Sequence, residues 1–271
     1  MPLDPVFWYG LAFKIALTAS IVVSASVVVE RSGPFLGALI ASLPTAGGAA
    51  LIILALQHPP GFIAAGMVGS LIANAACAIF ALTYAALAQS RSLPVSLGGA
   101  FAVWLAAVLL SRMVHWSAEG AALLNAVVYP VTISLSARFR SQGAVKRVPL
   151  TGRDLLWRAA AVTVCVLVVT GASASIGSYL SGAFAFFPVA MGSFFVILHP
   201  RIGGKAAASV AAYVQAPLVG LGLSLLAVHY LAVPLGVWWA YLIGLSIGVG
   251  WNAALWLARS VMAPRSRAPA P

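Results

Sequence analysis

Apolar residues run along this chain in blocks of about 20, separated by short stretches carrying Arg, Lys, His, Pro and Gly. A helix needs about 20 apolar residues to cross the hydrocarbon core of a bilayer. The blocks fall near 7–29, 34–56, 61–89, 93–111, 117–137, 155–174, 177–198, 206–230 and 233–258. Within them the apolar residues are continuous rather than striped. That marks helices apolar all round, as in a membrane span. The pattern therefore predicts an all-α polytopic membrane protein of about nine transmembrane helices.

Two blocks are interrupted at their centres. Leu36 to Gly48 reads LGALIASLPTAGG, with Ser42, Pro44, Thr45, Gly47 and Gly48 inside span 2. Ser181 to Ser193 reads SGAFAFFPVAMGS, with Phe187, Pro188, Gly192 and Ser193 inside span 7. Proline removes a backbone N–H and clashes with the preceding turn, so both helices should kink or break there. The carbonyls freed in lipid need partners, so such backbone should face protein or a water-filled cavity. The alternative is a packing kink among small residues that let helices approach closely.

The interruptions recur in order. Pro44 matches Pro188 at an offset of 144 (188 − 44), and His58-Pro59 matches His199-Pro200 at 141 (199 − 58). Asn74 matches Gln215 at 141 (215 − 74), and Pro94 matches Pro234 at 140 (234 − 94). Four landmarks in series predict an internal repeat of spans 1–4 (residues 1–114) and spans 6–9 (residues 155–258). Span 5 and the basic loop after it (115–154) join them, and 259–271 forms a Pro- and Ala-rich tail. Five spans separate equivalent helices, so the two copies should run in opposite directions. In inverted-repeat transporters, discontinuous helices from the two halves meet near the midplane and form the substrate site.

Polar residues inside spans are costly and are candidates for function. Lys14 is the one charge well inside a predicted span. It either snorkels to the headgroups or faces a lumen, where it would attract an anion or carry a proton. Asn74 and Gln215 are either clamps between helices or substrate contacts. Arg158 reads as an interfacial anchor paired with Asp154 four residues earlier, and His115 and Glu119 read as a similar pair. His58 and His199 sit beside prolines at helix ends. No Asp or Glu falls within the hydrocarbon part of a predicted span, which argues against a carboxylate proton relay.

Composition sharpens this picture. The chain has 271 residues, 62% hydrophobic and 7% charged, where a soluble domain has about a quarter charged. The net charge of +11 sits mostly in short loops and the tail, so it reflects the positive-inside bias and not nucleic-acid binding. The loop 138–154 carries Arg138, Arg140, Lys146, Arg147 and Arg153 and should be cytoplasmic. Alternation then places Arg31, Arg91, Arg201, Lys205 and the C-terminal tail inside and the N-terminus outside, with Arg112 the exception. The location expected is an inner (plasma) membrane of bacterial type. The N-terminus lacks a basic n-region and its apolar run reaches Val29, so it reads as a retained span.

Cys77 and Cys165 lie in apolar spans without metal-ligand or C-x-x-C spacing, and read as small core residues. There is no H-E-x-x-H, P-loop or G-x-S-x-G motif, and GPFLG at Gly33 to Gly37 follows no strand. No enzyme, cofactor or metal site is expected. The plan of inverted halves with broken central helices, and segments such as GPFLGALIASLP, resemble the bile-acid–sodium symporter group and the AbrB-type membrane proteins. The resemblance covers architecture and spans 2 and 7, and carries no functional residue. It implies a solute transporter.

Two functions follow. One is a permease for a small solute bound between the half-helices at Ser42–Gly48 and Phe187–Ser193, whose N-termini, with Lys14, favour an anionic or carboxylate-bearing one. The other is a non-transporting membrane subunit or lipid-interacting scaffold. A polar cavity between spans 2 and 7 favours the first, and a filled midplane with an apolar groove favours the second. The expected partners are the bilayer and a small-molecule solute, with self-association left open.

Overall fold

A computed structural model describes residues 5–31, 45–140 and 151–262. These residues form helices and no strands. In chain order they are α1 (Pro5–Arg31), α2 (Thr45–Gln57), α3 (Pro60–Leu87), α4 (Leu93–Ser111) and α5 (Ala118–Ser136). They continue as α6 (Gly152–Ala185), α7 (Val189–Ile202), α8 (Gly204–Leu231) and α9 (Val237–Met262). Six stretches among the described residues are long and apolar enough to cross a membrane: Pro60–Leu87, Leu93–Ser111, Ala118–Phe139, Gly152–Ile202, Gly204–Leu231 and Val237–Ala258. The chain is thus an α-helical protein of multi-pass membrane type. Pro44 and Ser42 lie outside the described residues.

The stretch Gly152–Ile202 is 51 residues long, far more than one crossing needs. Two breaks divide it. At Gly177 the backbone has φ +77 and ψ 173, a conformation L residues avoid, and the helix reverses there. The turn expected near Ser175 is this single glycine. At Phe186–Pro188 the helix stops again before α7 begins. The run from 177 to 198 is therefore two half-helices, as Pro188 led one to expect. Helix α7 has 14 residues, about 20 Å, too short to span alone, and α2 has 13 among the described residues.

Helices α3 and α8 form the centre. Residues 66–78 of α3 are all buried. Its alanines, with Ala207, Ala208, Ala211, Ala212 and Gly222 on α8, keep side chains small where helices press together. Helices α4, α5, α6 and α9 surround this pair, and α1 and α2 pack on α6. The outer faces of α5 and α9 expose Leu123, Val127, Trp238, Leu242 and Leu245, as a lipid-facing surface does.

Contacts sort the helix ends onto two faces. On one, Arg201 bonds Asp154 at 2.7 Å, the Arg140 guanidinium lies 5.5 Å from the Tyr213 ring, and Tyr84 meets His199 at 2.9 Å. On the other, His58 meets Ser173 at 2.8 Å, His229 meets the Ala64 carbonyl at 2.8 Å, and the Tyr230 hydroxyl bonds Glu119. Helix α3 runs from the histidine face to the basic face and α8 runs back. Helices α2 and α7 likewise end on opposite faces, at His58 and at Arg201.

Two side-chain pairings differ from the sequence reading. Asp154 does not pair with Arg158: its carboxylate takes Arg201 and closes a capping box with Thr151. His115 precedes the Ser117 N-cap and lies outside α5, so Glu119 turns to Tyr230 instead.

The tightest helix contact is between glycines. A Cβ on Gly182 would overlap the Gly66 carbonyl, and one on Gly69 would overlap the Tyr179 carbonyl. Gly182→Ala should lower stability by about 1–3 kcal/mol through overpacking. Gly171→Ala, with open space around it, should be neutral or stabilising by up to about 1 kcal/mol. Thermal melts in detergent check both, and equal losses would contradict this packing.

Candidate functional site

The site is built on the break between α6 and α7. Pro188 has φ −75 and ψ 41 and precedes α7. Short local bonds satisfy most of the break: Phe187 N–H donates to the Phe184 carbonyl at 3.0 Å, Val189 N–H to Phe187 at 2.7 Å, and Gly192 N–H to Pro188 at 2.8 Å. The Cys77 thiol reaches the Phe186 carbonyl at 3.5 Å from mid-α3. Among the described residues the Ala190 and Met191 amides have no backbone acceptor. They are the orphan donors of a first helical turn, at the positive end of the helix dipole.

The start of α2 meets this break. A Cβ on Gly47 would fall 2.6 Å from the Phe186 ring, so the glycine is what lets the two approach. Gly48 faces open space. Thr45 opens α2, next to Pro44. The first described turn of α2 thus touches the turn between α6 and α7.

The rest of the expected site divides. Phe187 stacks on Phe101 at 5.2 Å and stands edge-on to Trp104 at 5.1 Å, both on α4. A Cβ on Gly192 would meet Phe101 at 2.6 Å, and Ser193 bonds its own helix at Ala190. Phe187 and Gly192 thus face α4. Lys14 sits half-exposed on α1, and no hydrogen bond or ion pair to it appears among the described residues. The aromatic wall formed by Phe80, Tyr84, Phe101, Trp104 and Phe195 was not singled out from the sequence. Its signal was there in the helical spacing of 80 with 84 and 101 with 104.

Beside the tip contact lies a cavity of about 190 Å³ between α2, α8 and α9. Gly48, Leu51, Phe186, Leu221, Tyr241 and Gly244 are among its walls. Its polar side chains are already engaged: Ser224 bonds the Gly220 carbonyl at 2.8 Å and Tyr241 the Leu51 carbonyl at 3.0 Å. The cavity is apolar and lies off the α2–α7 line, in contrast to the polar chamber a carrier of a hydrophilic solute would need there.

Asn74 and Gln215 form a separate polar seam against α5. Asn74 donates to Asn125 Oδ1 at 3.0 Å and to the Leu218 carbonyl at 3.1 Å. Tyr129 donates to the Asn74 carbonyl at 2.9 Å, and Gln215 donates to Ser136 at 2.6 Å. Gly222 leaves room for the amide pair. These contacts tie the linker span to the α3–α8 centre, which is what a clamp does. The side-chain oxygens of both amides have no partner.

No protein-family model, no curated protein and no solved structure matches the chain.

Asn125→Ala should cost about 1–3 kcal/mol, because it strands the buried Asn74 amide. A double-mutant cycle of Asn74→Ala with Asn125→Ala should give a coupling of about 0.5–1.7 kcal/mol. Additive losses in denaturation experiments would remove the clamp.

Proposed function

We propose that the chain is a carrier of a small solute, built from two inverted repeats of four spans joined by a ninth, α5. The observation that carries this reading is the contact between Gly47 and Phe186. It joins the starts of two half-helices, which is how inverted-repeat transporters frame a binding site. Helix spacing supports the duplication: α2 and α7, α3 and α8, and α4 and α9 begin at one constant offset (189 − 45, 204 − 60 and 237 − 93 are each 144). The partners in each pair run oppositely, as inversion requires.

The basic face carries Arg91, Arg138, Arg140, Arg153, Arg201 and Lys205, while Arg112 follows α4 on the other face. By the positive-inside bias the basic face is cytoplasmic, with the N-terminus outside and the C-terminus inside, in a bacterial-type inner membrane. The orphan amides of α7 and the dipoles of α2 and α7 favour an anionic group at the tip contact. The neighbouring cavity favours an apolar body on the same solute.

That apolar cavity is the feature expected of a second reading, and it favours that reading: a scaffold that seats a lipid chain or partner helix and transports nothing. Two measurements separate them. A C-terminal fluorescent fusion should light only from the cytoplasm, and a periplasmic signal would reverse the topology. A solute that shifts the melting temperature of the purified protein should lose that effect in Pro44→Ala and Thr45→Val. An unchanged response in both would remove the binding site from this position and leave the scaffold.

A further inference from the structure

Arg158 is the one feature that neither reading uses. It lies two turns into α6 and is 5% exposed, with its guanidinium 4.7 Å from the Phe194 ring of α7. Its Nε and Nη1 are sealed off and have no hydrogen-bond partner. The acidic residue beside it in sequence is spoken for: Asp154 binds Arg201 through both oxygens and also bonds Thr151. Glu119, the other acid with a described side chain, lies on the opposite face with Tyr230. The whole chain has only 4 acidic residues against 15 Lys and Arg.

A buried charge without a counter-charge is unfavourable by several kcal/mol per ion, and a ring face offsets only part of that. We infer that Arg158, between α6 and α7 near the basic face, is a binding site for an oxyanion, a carboxylate or phosphate group. Guanidinium is a planar donor fork that fits such groups and stays charged when desolvated. Nη2, the nitrogen not sealed off, marks the side from which the anion enters. Arg153, Arg201 and Lys205 are exposed at the basic face, where α6 starts and α7 ends, and raise the concentration of anions at that face. The oxyanion belongs to a free solute or to a lipid headgroup. The inference holds whether or not the chain transports anything.

The test uses the full chain in a phosphate-free, non-ionic detergent at constant ionic strength set with chloride. Inorganic phosphate or acetate, titrated in turn, should raise the melting temperature of the wild type by several degrees in a saturable way. Arg158→Met should lose this response, with affinity falling at least tenfold, and Arg158→Lys should keep part of it. Without anion, Arg158→Met should melt at or above the wild-type temperature, because an uncompensated buried charge has gone. Reconstitution with phosphatidylglycerol separates the sources. If lipid alone gives the stabilisation and free phosphate adds nothing, the ligand is a headgroup; if free phosphate still acts, it is a solute. The inference is overturned if wild type and Arg158→Met respond alike, if neither anion nor lipid stabilises the wild type, or if Arg158→Met fails to fold while Arg158→Lys folds. Helix α1 carries one acid, Glu30, near its end; the inference is also overturned if the response appears only in Glu30→Gln, which would mean that an internal carboxylate holds the guanidinium.

Discussion

In hydrocarbon, a peptide group without a hydrogen-bond partner costs several kcal/mol, and that constraint shapes this molecule. Most of the chain meets it with uninterrupted helix. The break at Phe186–Pro188 is where it does not, and the structure there is arranged around the exception. Short turns take up the amides of Phe187, Val189 and Gly192, and Cys77 reaches the Phe186 carbonyl. An aromatic wall from α3 and α4 seals one side. Gly47 admits the tip of α2 on the other, where a side chain would strike the Phe186 ring.

The other elements follow from holding that break in place. The α3–α8 centre is built from alanine and glycine, so its helices pack closely and form a rigid post. Glycines at 66, 69 and 182 let the re-entrant half of α6 lie directly on α3. Asn74, Asn125 and Tyr129 fasten α5 to the post with bonds that have no water to compete with them. At the two faces, the Asp154–Arg201 ion pair and histidine contacts tie helix ends together. The cavity beside the tip contact is apolar. Among the described residues, polar atoms without a partner include the first amides of α7, the amide oxygens of Asn74 and Gln215, the Thr18 hydroxyl, the Trp104 indole N–H, Arg140 Nε, and Nε and Nη1 of Arg158.

Much of this was legible in the sequence because membrane helices are constrained locally. Apolar length marked the helices, Pro188 marked the second break, and the Lys and Arg positions sorted the faces. The four-landmark repeat, with offsets drifting from 144 to 140, belongs to the proposed duplication, which also draws on three helix pairs whose starts share a single offset. What was not legible depends on rotation about helix axes. Phe187 and Gly192 share a segment with Phe186, yet they face α4 while Phe186 faces Gly47. Arg158 and Asp154 are one turn apart, and spacing alone suggested a pair. The choice of Arg201 by Asp154 needed α7 to be placed first, 47 residues along the chain. The break between spans 155–174 and 177–198 was legible, but not that a single left-handed glycine, Gly177, makes it.

The claim that matters most is that the two half-helix starts meet inside the bilayer. Cysteines at positions 47 and 186, in a chain whose Cys77 and Cys165 are replaced by alanine, test it in native membranes. The account predicts that a short thiol-reactive linker joins them, as it should join a control pair at 58 and 173, where His58 meets Ser173 at 2.8 Å. Cross-linking of the control pair without any at 47 and 186 would contradict it.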